Sequence, residues 1–123
     1  MEREQAQRYA EQWIADWNAR DLAAVLAHFE EDVAFTSPRA LAVVGVATVR
    51  GKAALRDYWT RALAAIGSLR FTLRRIAWDP ATSELTIFYE RDVDGRRDGA
   101  AEVLCFAGSG RVARAEVYHG LLP

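Results

Sequence analysis

LRFTLRRIAWDPATSELTIFYERDV (69–93) consists of two alternating runs joined by a turn. Leu69, Phe71 and Leu73 alternate with polar residues, the period-two pattern of a half-buried strand. The phase breaks at Arg74-Arg75 and resumes at Ile76 and Trp78. A β-bulge has this effect, and bulges bend sheets. Asp79-Pro80-Ala81-Thr82-Ser83 is a turn. The second run, 84–93, places Leu85, Ile87 and Tyr89 on one face, with Thr86, Phe88 and Glu90 on the other. The two runs predict a bent antiparallel hairpin.

Toward the C-terminus two Asp-Gly turn signals compete, Asp94-Gly95 and Asp98-Gly99. The hairpin register between 93 and 100 is therefore open, and with it the direction of Glu102. Strand 100–107 is apolar on both faces, Leu104 and Phe106 on one, Val103 and Cys105 on the other. Gly108-Ser109-Gly110 turns into a last strand, 111–119. Toward the N-terminus, Tyr9, Trp13 and Trp17 recur every four residues beside Ala6, Ala10 and Ile14. That apolar stripe predicts a helix over 2–19. Asp21 caps a second helix, 22–29, burying Leu22, Val25, Leu26 and Phe29. Val33–Ser37 reads as a strand stopped by Pro38. Residues 39–50 read either as a functional loop or lid, or as a short strand with a turn at Gly45. A third helix starts at Gly51 or Lys52 and ends before Gly67. Its apolar face is Leu55, Tyr58 or Trp59, Ala62, Leu63 and Ile66. Helices followed by strands predict an α+β fold with the helices on one face of the sheet.

The 123 residues fit a single domain, 1–123. With 51% hydrophobic and 27% charged residues, the composition excludes a disordered tail and a collagen-like repeat. A net charge of −1 attracts neither nucleic acid nor an anionic membrane. Cys105 is alone, so no intrachain disulfide forms and no Cys-rich metal cluster is expected. The N-terminus lacks a signal-peptide core, and the longest apolar run, LAVVGVA (41–47), is too short to span a bilayer. A cytoplasmic protein is expected. Apolar residues on both sheet faces predict a homodimer through the outer face, where Phe88, Val103 and Cys105 lie.

Three stretches carry a family resemblance: WNARDLAAVLAHFEEDVAFTSP (17–38), VRGKAALRDYWTRAL (49–63) and AEVLCFAGSGRVARAEVYHG (101–120). Together they resemble the SnoaL-like branch of the nuclear transport factor 2-like superfamily, over nearly the whole chain. The resemblance implies a cone-shaped, cystatin-like α+β roll, with three N-terminal helices in the concave face of a curved antiparallel sheet. It also implies a dimer and a pocket between helices and sheet. The superfamily includes ketosteroid isomerases, scytalone dehydratase, limonene epoxide hydrolases and polyketide cyclases, so the fold does not select a reaction.

Two residues are catalytic candidates. Glu102 shares a strand face with inward-facing Leu104 and Phe106. A carboxylate there must be paired, hydrogen-bonded or protonated. Desolvation would make it a general acid or a hydrogen-bond donor. The resemblance places it where ketosteroid isomerases hold the protonated acid of their oxyanion hole. The alternative is an ion pair with Arg91 across the hairpin. His119 shares a face with Ala113, Ala115 and Val117 and reads as a proton shuttle or as a backbone-bonded capping residue. Trp13, Trp17, Tyr58, Trp59 and Tyr89 read as walls for a hydrophobic ligand, with Leu104, Phe106 and the Ser37 hydroxyl beside them. Two positions depart from the isomerase pattern: Ser37 replaces its general-base aspartate and Trp13 its oxyanion tyrosine. Steroid-type isomerisation is disfavoured. His28 and His119 have no metal-ligand spacing, so no metal or other cofactor is expected.

Two functions follow. One is a cofactor-free isomerase, cyclase or dehydratase acting on a small hydrophobic carbonyl compound. The other is a non-catalytic pocket or accessory domain that binds a small apolar ligand.

Overall fold

The computed structural model describes residues 1–123. α1 (Arg3–Asn18) opens with a capping box in which Glu2 and Gln5 satisfy each other's backbone N–H groups. Ala6 and Ala10 are fully buried and Trp13 and Trp17 nearly so, which makes this the face that meets the sheet. α2 (Leu22–Leu26) is capped by Asp21, whose carboxylate accepts from the Ala24 N–H. It is shorter than its apolar pattern suggests, because Phe29 already belongs to β1 (Phe29–Thr36).

The connection 39–50 is not a loop. Ser37 caps a helix, α3 (Pro38–Val44), with Pro38 at its first position and Gly45 closing it in the left-handed conformation, φ 80°. β2 (Thr48–Arg50) follows, then α4 (Lys52–Ala64), which buries Leu55, Tyr58, Trp59 and Ala62. Both Tyr58 and Trp59 face inward, where one of the two was expected.

Four long strands complete the chain: β3 (Leu69–Asp79), β4 (Glu84–Val93), β5 (Arg96–Phe106) and β6 (Val112–Gly120). The six strands form one sheet in the order β2-β1-β6-β5-β4-β3. One ladder is parallel, β1 with β6, since these strands meet across nearly the whole chain and no hairpin dictates their sense. The register of β3 on β4 shifts between Leu73 and Arg75, the bulge expected at Arg74-Arg75. It bends the sheet around α1 and α4. Two clasps fix the helices over the opening. The Asn18 side chain accepts from the Phe71 N–H (2.7 Å) and donates to the Phe71 carbonyl (2.9 Å), as a neighbouring strand would. Arg20 donates to the carbonyls of Ile66 (3.2 Å) and Gly67 (2.9 Å).

The hairpin register is set by Asp94-Gly95. Both residues have positive φ, 53° and 83°, as a two-residue type I′ turn requires. Asp98-Gly99 lies inside β5 instead. Arg91 therefore stands opposite Asp98, and Glu102 opposite Ile87 on β4 and Val117 on β6. The outer face holds half-buried Phe88, Val103 and Cys105. The Arg75 guanidinium covers the Phe88 ring at 3.8 Å. The Cys105 thiol donates to Glu84 (3.3 Å) and accepts from Arg114 (3.2 Å).

Candidate functional site

A cavity of about 80 Å³ lies between the concave face of the sheet, α1 and α4. Trp13 and Trp17 come from α1, where their four-residue spacing aims both at the sheet. Tyr58 and Trp59 come from α4, Phe35 from the end of β1, Ser37 from the cap of α3, and Phe71 and Tyr89 from β3 and β4. The aromatic rings brace one another edge-on: Trp17 on Trp59 at 4.9 Å, Trp13 on Tyr89 at 5.1 Å and Phe35 on Trp59 at 5.2 Å. Such pairs are stable beyond their area burial and keep the walls rigid.

Glu102 reaches this cavity from β5 and is 4% exposed. Its cross-strand neighbours, Ile87 and Val117, offer no hydrogen bond, and its Oε2 is buried without a partner. Burial alone pushes its carboxyl from 4.5 up to about 8. Glu102 is thus mainly protonated at pH 7, a neutral donor with nothing to donate to. The expected alternative partner, Arg91, is engaged by Asp98 at 3.3 Å. The indole N–H groups of Trp13 and Trp17 are also buried without acceptors. Three unsatisfied donors on residues of one apolar cavity favour a ligand that brings an acceptor oxygen.

Tyr89 and Tyr58 remain neutral phenols, raised first by burial; at Tyr58 the neighbouring Ser37 hydroxyl works against that rise. Ser37 lines the cavity and caps α3 as well, accepting from the Arg39 N–H at 3.2 Å.

His119 stands opposite Ala100, so it shares the concave face with Glu102. It lies farther out, in an adjoining polar recess with Arg91 and Asp98, and is exposed. Arg91 donates to its Nε2 at 3.3 Å, which requires a neutral ring. Burial lowers its pKa first, then Arg91; Asp98 opposes them. Glu102 and His119 are thus on one wall without direct contact.

Leu104 and Phe106 lie outside the cavity lining. Leu104 is fully buried opposite Leu85 and Ala115, deeper in the core. The register slips after Cys105, and Phe106 packs on Tyr9 at the far end. Arg39 and Arg91 both stand at the cavity rim; Arg39 was not expected there, and Arg91 was expected only as a partner of Glu102. Arg91 continues the Leu85-Ile87-Tyr89 alternation, so that signal was present. Tyr9 was read only as part of a stripe. Its hydroxyl is buried without a partner, and burial, then Glu102 and Asp16, raise its pKa. No group of three or more His, Cys, Asp or Glu side chains is arranged to hold a metal ion. No helix is long and apolar enough to cross a membrane.

The whole fold recurs in solved structures. A SnoaL-like protein of unknown function from Burkholderia thailandensis E264 superposes with a TM-score of 0.84 at 30% identity, over 94% of this chain and 93% of that one. The epoxide hydrolase/cyclase-like enzyme SalBIII, of pyran ring formation in salinomycin, is similar at 16% identity, TM-score 0.75, over 97% and 93%. A putative polyketide cyclase from Sinorhizobium meliloti follows at 16% identity, TM-score 0.70, over 86% and 89%. The latter two likenesses concern the fold alone. No curated protein matches the sequence significantly. Residues 10–119, most of the chain, match the model of the SnoaL-like domain: the chain belongs to the SnoaL-like family.

Proposed function

We propose that this SnoaL-like pocket protein is a cofactor-free acid–base enzyme, an isomerase, cyclase or dehydratase acting on a hydrophobic carbonyl compound. The observation that carries this reading is Glu102, an unpartnered carboxyl raised to about 8 inside an aromatic cavity. A neutral carboxyl donates a hydrogen bond to a ligand carbonyl and strengthens it as negative charge develops on that oxygen. His119, neutral and open to solvent at the rim, exchanges protons with water. The cyclase activities named for two structural neighbours fit the same chemistry.

The test compares wild type and Glu102→Gln. Intrinsic tryptophan fluorescence is titrated with phenols, enones and polyketide-like ketones, and turnover is then measured on those that bind. Glutamine keeps the shape and a donor but transfers no proton, so turnover falls with binding largely retained. Unimpaired turnover in Glu102→Gln removes the assignment. A second reading, a non-catalytic binding domain, is favoured by Ser37 and Trp13, which stand where the isomerase pattern has its base and its oxyanion tyrosine. It expects no turnover of any binder, affinity indifferent to Glu102→Gln, and losses on Trp13→Ala or Trp59→Ala. For either function we propose a homodimer through the outer sheet face. Sedimentation as a monomer at micromolar concentration would exclude it.

A further inference from the structure

The concave face changes character along its strands. From the closed end outward the pairs of β4 and β5 run Leu85/Leu104, Ile87/Glu102, Tyr89/Ala100, Arg91/Asp98 and Val93/Arg96. The apolar cavity therefore opens into a charged recess of about 240 Å³, lined by Arg39, Arg91, Val93, Arg96, Asp98 and His119. Arg39, Arg91 and Val93 border both spaces.

The charges in the recess do not balance. Its single carboxylate, Asp98, is engaged by Arg91. Neither Arg39 nor Arg96 has an acidic group within 4.0 Å. His119 accepts from Arg91 as a neutral ring and so adds no charge of its own. Three guanidiniums against one carboxylate leave two positive charges at the mouth of an apolar cavity. The volumes add a second constraint. The inner cavity of about 80 Å³ is smaller than the roughly 150 Å³ void that accepts a benzene ring. A ring-sized ligand therefore extends beyond the inner cavity, and the recess that shares Arg39, Arg91 and Val93 with it is the larger space beside it.

We infer that the ligand is an amphipathic acid, with an aromatic body reaching toward Glu102 and a carboxylate held in the recess by Arg39 and Arg96. The inference rests on the proposed function for the inner cavity and adds the head group. A carboxylate suits the place, since both Asp98 oxygens already lie within 3.4 Å of Arg91 Nη1. The planar guanidinium fork matches two carboxylate oxygens better than a single point acceptor. Arg39 on α3 and Arg96 at the start of β5 are both exposed, so replacing them spares the core.

The experiment is isothermal titration of the full chain with trans-cinnamate and with its uncharged counterpart of similar shape, trans-4-phenylbut-3-en-2-one. Cinnamate should bind about tenfold more tightly in low salt, the effect of one charge-assisted hydrogen-bonded pair. Added salt should erode that preference. The double variant Arg39→Gln/Arg96→Gln should abolish that preference, costing cinnamate about tenfold more than the enone. If the two probes bind wild type equally, or the enone binds better, the acid head group is overturned and the hydrophobic pocket stands. Equal losses of both probes in the variant overturn it too. Binding of neither probe overturns the head group and the proposed pocket function together.

Discussion

Glu102→Gln should make the protein more stable at neutral pH. In the unfolded chain an ordinary glutamate loses its proton near 4.5; in the folded chain Glu102 does so at about 8. Between those values the folded state binds one proton more than the unfolded state. The contribution of Glu102 to stability is therefore greatest below 4.5, falls as pH rises and levels off above 8. At pH 7 the unfolded chain must take up that proton to fold, at about 1.4 kcal/mol per pH unit above 4.5, hence about 3 kcal/mol. Glutamine has nearly the same volume, carries no charge at any pH and incurs no such cost. Urea denaturation of both proteins from pH 4.5 to 9 isolates the effect, because every other titrating group cancels in the difference. The variant should gain about 3 kcal/mol on wild type at pH 7, or about 10 °C in Tm, and the gain should vanish toward pH 4.5. A difference independent of pH, or one that shrinks between pH 4.5 and pH 7, would refute the neutral, unpaired carboxyl. The proposed chemistry would lose its acid with it.

Three other perturbations probe the surroundings. Leu104→Ala should cost about 2–5 kcal/mol in chemical denaturation, as for other fully buried leucines, without changing which ligands bind, because Leu104 lies in the core and outside the cavity lining. Asn18→Ala removes both hydrogen bonds to the Phe71 backbone and should cost about 1–3 kcal/mol, with faster amide exchange at Phe71 as the local signature. The His119 ring should titrate below 6.5 by proton NMR, and Arg91→Gln should move the midpoint up, since it removes a repelling cation and frees Asp98; a wild-type midpoint above 6.5 would contradict the Arg91 contact.

What the sequence disclosed was what local periodicity encodes. The Tyr9-Trp13-Trp17 stripe, the phase break at Arg74-Arg75 and the shared face of Glu102 and Leu104 each depend on residues a few positions apart. Helix α3 was encoded locally as well, since Ser37-Pro38 with Gly45 eight positions on is a capped start and stop. Proline ends a strand as readily as it begins a helix, and the first meaning was taken. Phe106 followed its strand alternation until the slip after Cys105 moved it to another neighbour. The rim arginines come from α3, β4 and β5, and nothing in their spacing brings them together. The hairpin register was hidden for a different reason, because two Asp-Gly pairs are equally good turns in isolation. Asp94 also accepts from the Ser68 N–H at 2.8 Å, a contact across 26 residues that only the folded chain supplies. That one choice sets both halves of the site. With the turn at Asp94-Gly95, Asp98 falls opposite Arg91 and engages it, so Glu102 is left opposite Ile87 without a counter-ion. The same register brings Arg96 opposite Val93 at the mouth. A turn at Asp98-Gly99 would instead set Glu102 opposite Gly95 and Arg91 opposite Phe106, so the apolar neighbours of the carboxyl and the Arg91–Asp98 pair at the mouth are two results of a single two-residue turn.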